Sequence, residues 1–111
     1  MDLKQFLTSP LRNVWISEPY IRVYVRKSIR LIDNIQRDCL DIGSVEVEPH
    51  KRNKGVFSKF LLKFEKTAKQ LNRVVYVENV LNPRLEEMLE RREYRYLGNF
   101  PGAPTMYKEI N

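Results

Sequence analysis

Residues 40–78 constrain the fold more than any other part of the chain. Two short apolar runs, Leu40–Val47 and Val74–Val77, bracket a long amphipathic stripe, and a basic loop closed by Gly55 leads into that stripe. Val56, Phe57, Phe60, Leu61, Phe64, Ala68 and Leu71 recur at helical spacing, while Lys59, Lys63, Lys66 and Lys69 take the opposite side. A helix between two β-branched runs is a βαβ unit, so the strands 40–48 and 74–78 are predicted parallel with a right-handed crossover.

The residues upstream carry the period of antiparallel strands. Along Tyr20–Arg26, Ile21, Val23 and Val25 face one way, and Arg22, Tyr24 and Arg26 the other. Ile29–Ile32 reads either as a second strand or as the first continuing past Lys27-Ser28, and Asp33-Asn34 is a turn signal. The apolar phase of the third strand slips around Gly43, which predicts a bulge. A short helix is expected over Asp2–Thr8, and an edge strand over Asn13–Ser17. Asn82 as N-cap and Pro83 as first helical residue open a helix with Leu85, Met88 and Leu89 on its apolar side. Tyr94–Leu97 and Thr105–Lys108 read as two last strands around a Pro/Gly loop. The whole is expected to be one α+β domain spanning 1–111. It should hold a single mixed sheet, with antiparallel N-terminal strands, a central βαβ unit and helices on the faces.

Composition excludes several classes. Apolar residues make up 42% and charged residues 31%, too much apolar material for a disordered chain. No apolar run approaches the roughly 18 residues that span a bilayer. Met1–Leu7 lacks the apolar core of a secretory signal, and Cys39 is alone, so a cytoplasmic protein without a disulfide is expected. One His and one Cys cannot furnish a tetrahedral zinc site, so no metal is expected. Residues 1–48 hold seven Lys/Arg and seven Asp/Glu, and the remainder thirteen and seven, so the net charge of +6 falls after residue 48. Such a basic patch suits a phosphate-rich partner, either a nucleotide cofactor or a nucleic acid. Its other reading is a solvated helix face.

The loop favours the cofactor. In Val47-Glu48-Pro49-His50-Lys51-Arg52-Asn53-Lys54-Gly55-Val56-Phe57 a strand ends, cations follow, and a helix starts at a glycine. The first N–H groups of a helix lack internal partners and bind anions, aided by the helix dipole. Glycine lets a diphosphate approach the backbone. This segment resembles the core signature of the GNAT superfamily of N-acyltransferases, V-x-P followed by [Q/R]-x-x-G-x-[G/A], through Val47, Pro49, Arg52 and Gly55. Phe57 stands where that family usually has Gly or Ala. Asn82 matches the family's Asn before the next helix, Glu93-Tyr94 takes the Gly-Phe position, and Leu89 falls where many members carry a proton-donating Tyr.

The resemblance implies binding of acetyl-CoA and transfer of its acetyl group to an amine of unidentified kind, such as a protein amine. It assigns the cofactor to Val45, Val47, Arg52, Asn53, Lys54, Gly55, Val56, Phe57 and Asn82. Backbone N–H groups of 45–47 would face the thioester oxygen. The general base is expected to be Glu46 first and Glu78 second. The proton donor, with Leu89 unable to serve, would come from Tyr107, Tyr76 or Tyr94. Domains of that family commonly run to about 150 residues, so the acceptor side of this shorter chain is expected to be open, or completed by a second subunit as a homodimer. The alternative is a non-catalytic module that contacts nucleic acid or a partner protein through the basic face.

Overall fold

The computed structural model describes residues 1–80, 82–98 and 104–110. Helix α1 (Leu3–Thr8) opens on a reciprocal cap: Gln5 N–H donates to the Asp2 carboxylate, and Asp2 N–H donates to the Gln5 side chain. Strands β1 (Asn13–Glu18), β2 (Ile21–Ile32) and β3 (Ile35–Val47) form an antiparallel meander. Helix α2 (Val56–Leu71), strand β4 (Val74–Val77), helix α3 (Pro83–Arg91), and strands β5 (Arg95–Leu97) and β6 (Thr105–Lys108) follow. One six-stranded sheet results, in the order β1-β2-β3-β4-β6-β5. Among the described residues only β3 and β4 run parallel. This is the mixed sheet expected from the βαβ pattern.

Ile29–Ile32 proves to be the continuation of β2, not a separate strand. The third strand starts at Ile35, five residues before the expected Leu40, because Ile35–Cys39 pairs with Ser28–Ile32 across a tight turn. Asp33 and Asn34 make that turn with φ of 53° and 64°, the two left-handed residues a two-residue hairpin requires. The predicted bulge is present. Tyr24 pairs with Ser44 and Val25 with Ile42, so Gly43 is the extra residue. Much of the Gly98–Pro104 loop lies outside the described residues.

The main core joins one face of the sheet to all three helices. Val23, Val25, Leu40, Ile42, Val75 and Val77 bury against Phe6 of α1, Phe60, Leu61 and Phe64 of α2, and Leu89 of α3. A second, smaller cluster occupies the opposite face: Ile32, Cys39, Val74, Tyr76 and Tyr107, with Leu97 packed against it. Every one of these residues lies on a strand. Next to this cluster Arg37, in the β2–β3 arm, pairs with Glu109 just past β6 at 2.6 Å.

The strands that carry the site part company. β3 and β4 pair over Cys39–Ile42 and Val74–Val77, and Glu78 N–H donates to Ile42 C=O at 3.0 Å. Beyond that bond β3 runs on to Val47 without β4 beside it. The bulge at Gly43 adds twist at this point and turns the end of β3 away. A splayed pair of parallel strands is the outcome.

Candidate functional site

The splay opens onto a groove of about 720 Å³. Val45 and Val47 form one wall, α2 begins across from them, and the start of α3 closes the third side. The groove is therefore built where two helix N-termini converge. Gly55 caps α2 in the left-handed region, φ 80°, and supplies no side-chain cap. The first bond inside the helix is from Lys59 N–H to Gly55 C=O, so the preceding N–H groups of the first turn have no helical acceptor. A Cβ built on Gly55 would meet no atom within 4 Å. The glycine thus serves the backbone conformation and leaves an open cradle above it.

Charge in the groove has one sign. Lys51, Arg52 and Arg84 line it, and none of them pairs with a carboxylate among the described residues. The Arg52 Nε donates to Val47 C=O at 3.2 Å, which ties the loop to the strand end. Pro49–Lys51 forms a single 3₁₀ turn in the loop, and Lys51 N–H donates to Glu48 C=O at 2.8 Å. At α3, Asn82 accepts from Arg84 N–H at 2.9 Å, and Pro83 takes the first helical position. The donor set fits an anionic group such as a diphosphate: free N–H groups, two helix dipoles and unpaired cations. The deeper lining is apolar, from Val45, Val47, Phe57, Leu85 and Met88.

Of the residues expected to hold a cofactor, Val45, Val47, Arg52, Asn53, Gly55, Val56, Phe57 and Asn82 line this groove together. Lys54 lies in the loop, exposed, outside the lining. Phe57 turns its ring toward the core and packs with Phe60 at 6.5 Å between centroids. A bulky residue is accommodated there because it does not cover the loop. Lys51, Ser58, Pro83, Arg84, Leu85 and Met88 also line the groove and were not among the residues assigned to the cofactor. Arg84 and Met88 were legible in part, as the first-turn and inward residues of a helix whose N-cap was recognised.

The residues expected to carry chemistry are placed apart from one another. Glu46 leaves β3 on the helix-free face, 57% exposed, 3.2 Å from Arg22. Glu78 stands at the end of β4 on that same face. It is held by Arg30 at 2.6 Å and Arg26 at 2.5 Å, beside a fully buried Asp41. Asp41 itself accepts from Ser28 at 2.7 Å and from Arg30 at 2.8 Å. The carboxylate neighbours raise the pKa of both guanidiniums, chiefly through the hydrogen bonds to Glu78 and to Asp41 respectively.

Among the described residues no tyrosine lines the groove. Tyr107 is buried opposite Tyr76 in the second cluster. Burial raises the pKa of Tyr76 above its ordinary value. Tyr94 donates to Glu65 at 2.8 Å within the main core, and burial, followed by the Glu65 charge, pushes its pKa up. Leu89 is fully buried. On the outside of α2, Lys59, Lys66 and Lys69 are exposed, while Lys63 is spent on Glu18 at 3.0 Å. No helix is long and apolar enough to cross a membrane, and no group of metal-ligating side chains occurs among the described residues.

No protein-family model and no curated protein matches the chain. Solved structures do. A mutant AtaT toxin bound to the C-terminus of the antitoxin AtaR and to acetyl-CoA superposes with a TM-score of 0.62 at 9% identity, over 79% of this chain and 57% of that one. The KacTA–DNA complex gives 0.64 at 9% identity, over 82% and 58%. A histone acetyltransferase HPA2 and related acetyltransferase from Corynebacterium glutamicum gives 0.63 at 17% identity, over 83% and 58%. The chain thus spans less than three fifths of the length of these three. Its six-stranded mixed sheet, with the three helices on one face and not on both as expected, belongs to a chain that superposes on these structures, and on that likeness it has a GNAT-like fold.

Proposed function

We propose that the chain binds acetyl-CoA in the groove and acts as an N-acetyltransferase toward an amine. One observation carries this reading: the unpaired first-turn N–H groups at Gly55, flanked by Lys51, Arg52 and Arg84, stand at the mouth of a splayed strand pair. The likeness to an acetyl-CoA-bound toxin supports the choice of ligand.

The residues would act as follows. Arg52 and Arg84, with the α2 N-terminus, hold the diphosphate. The apolar walls of Val45, Val47 and Met88 hold the pantetheine arm. Bound there, acetyl-CoA supplies the thioester; free backbone groups of β3 beyond Ile42 polarise its oxygen. The acceptor amine approaches from the helix-free face, where Glu46 is the proposed base. Glu46 is preferred over Glu78 because one exposed arginine holds it, whereas two clamp Glu78. The described lining offers no tyrosine to protonate the departing thiolate, so that proton is assigned to solvent.

A calorimetric titration with acetyl-CoA tests the reading. Saturable binding below about 1 mM is expected, and desulfo-CoA should bind comparably, since the diphosphate dominates. No heat at that concentration would sink it.

A further inference from the structure

The groove holds more positive charge than a diphosphate needs. A diphosphate diester brings one negative charge on each phosphorus, and Arg52 and Arg84, with the α2 N-terminus, balance them. Lys51 is a third cation in the same lining, and among the described residues it pairs with no carboxylate. Its side chain is held in place. Lys51 is half-buried, whereas Arg52, Asn53 and Lys54 after it are exposed. The Lys51 Nζ stands over the Tyr20 ring, 4.5 Å from its centroid, and His50 meets the same ring edge-on at 6.1 Å.

The backbone in turn places Tyr20. Pro19-Tyr20 makes the two-residue turn between β1 and β2, since Glu18 pairs with Ile21. Glu48 N–H donates to Tyr20 C=O at 2.9 Å, which ties this turn to the start of the basic loop. Tyr20 has a φ of 73°, a conformation that glycine adopts without strain, and it is 44% exposed. Neither the turn nor the core therefore requires this ring. Its visible work is to fix the Lys51 ammonium on the β1–β2 side of the groove, while Arg84 stands at the start of α3.

We propose that Lys51, positioned by Tyr20, binds a phosphate monoester beside the diphosphate cradle, and so selects acetyl-CoA over acetyl-dephospho-CoA. The proposal rests on the acetyl-CoA reading and names the part of that ligand which the third cation serves. The 3′-phosphate is the one monoester of the ligand, and such a group carries about −1.5 to −2 charge at neutral pH. A lysine ammonium is a compact point charge that meets it without the planar match an arginine fork needs.

Calorimetric titration of the intact chain with acetyl-CoA and with acetyl-dephospho-CoA, which differ only in the 3′-phosphate, reads the result. The wild type should bind acetyl-CoA about tenfold tighter. Lys51→Gln should lose that factor for acetyl-CoA and leave acetyl-dephospho-CoA within about twofold of wild type. Arg84→Gln should weaken both ligands alike. Tyr20→Gly relaxes the turn, so its melting temperature should hold or rise, yet the preference should narrow by about two- to fivefold. That narrowing is a change that a merely structural tyrosine would not produce. Equal binding of the two ligands by the wild type would overturn the proposal, and so would an equal loss for both in Lys51→Gln. A preference erased by Arg84→Gln would move the site to α3, and one untouched by Tyr20→Gly would remove the positioning role. Binding of neither ligand by the wild type would instead strike the acetyl-CoA reading itself, and this inference with it.

Discussion

The two sides of the sheet handle charge in opposite ways. At the groove, cations and helix N–H groups stand without anions: among the described residues Lys51, Arg52 and Arg84 have no carboxylate, and α2 has no side-chain cap. On the helix-free face, the arginines near the splay are compensated. Arg22 meets Glu46, and Arg26 and Arg30 share Asp41 and Glu78. The first arrangement is prepared for charge brought from outside, because an uncompensated positive cluster gains on receiving a phosphate. The second holds its own shape. A carboxylate with no exposure and two guanidinium partners is costly to disturb.

The sharpest test of that division is Glu46→Gln, on the compensated side but at the splay. If Glu46 takes the ammonium proton, turnover falls by about 10²–10⁴-fold while acetyl-CoA affinity stays within about twofold. Turnover is followed by thiol release with a panel of amines and peptides. An unchanged rate in both Glu46→Gln and Glu78→Gln would remove carboxylate catalysis. The groove would then act by proximity alone.

Next in size is Asp41→Ala. It strands Arg26 and Arg30 with only Glu78, and stability should fall by about 3 kcal/mol, at the low end for a broken buried pair because both arginines are partly exposed. Urea unfolding reads this. The same variant should still bind acetyl-CoA, and a large loss of affinity at retained folding would show that the two sides are coupled.

Gly55→Glu addresses the groove directly. A carboxylate above the α2 N-terminus should cut acetyl-CoA affinity more than tenfold, about 1.4 kcal/mol or more. There is space for the side chain, so the accompanying stability loss comes from the left-handed backbone alone, about 1–2 kcal/mol. Calorimetry and thermal melts separate the two effects.

The smallest effect concerns the end of α3. Glu93 adopts φ 70° and its N–H donates to Glu90 C=O, a helix exit that glycine makes without strain. Glu93→Gly should raise stability by about 0.5–1 kcal/mol, seen as a higher melting temperature, with no change in ligand affinity. Gly55 and Glu93 thus form a pair. The chain kept glycine where a ligand would approach the backbone, and dispensed with it where only the turn was needed.

Much of this was legible from local pattern. The 3.6-residue stripe of Val56–Leu71 and the β-branched run Val74–Val77 named the βαβ unit, since burial on one face imposes that period on a helix whatever surrounds it. Gly43 marked the bulge because the apolar alternation breaks there, and Gly55 after basic residues marked the loop. Ile35–Asp38 gave no strand signal: the arm beyond the sheet buries neither face in a regular way, so Ile35 and Leu31 are exposed while Ile32 is buried. Pattern cannot report a strand that has no core to face.

The surroundings of the side chains proposed for chemistry were decided by the tertiary structure. The sequence places Glu46, Glu78 and Tyr107 on strands, at alternating positions that expose one face. Which carboxylate is clamped depends on Arg26 and Arg30, which reach it through strand register and not through nearness in sequence. Tyr107 was set beside Tyr76 by the β4–β6 pairing, away from the groove. Arg84 came to line the same groove as Arg52 only because α3 starts where the splay opens. Periodicity in a chain records which faces are buried. The meeting of charges across strands records register and twist, which the sum of all packing contacts sets.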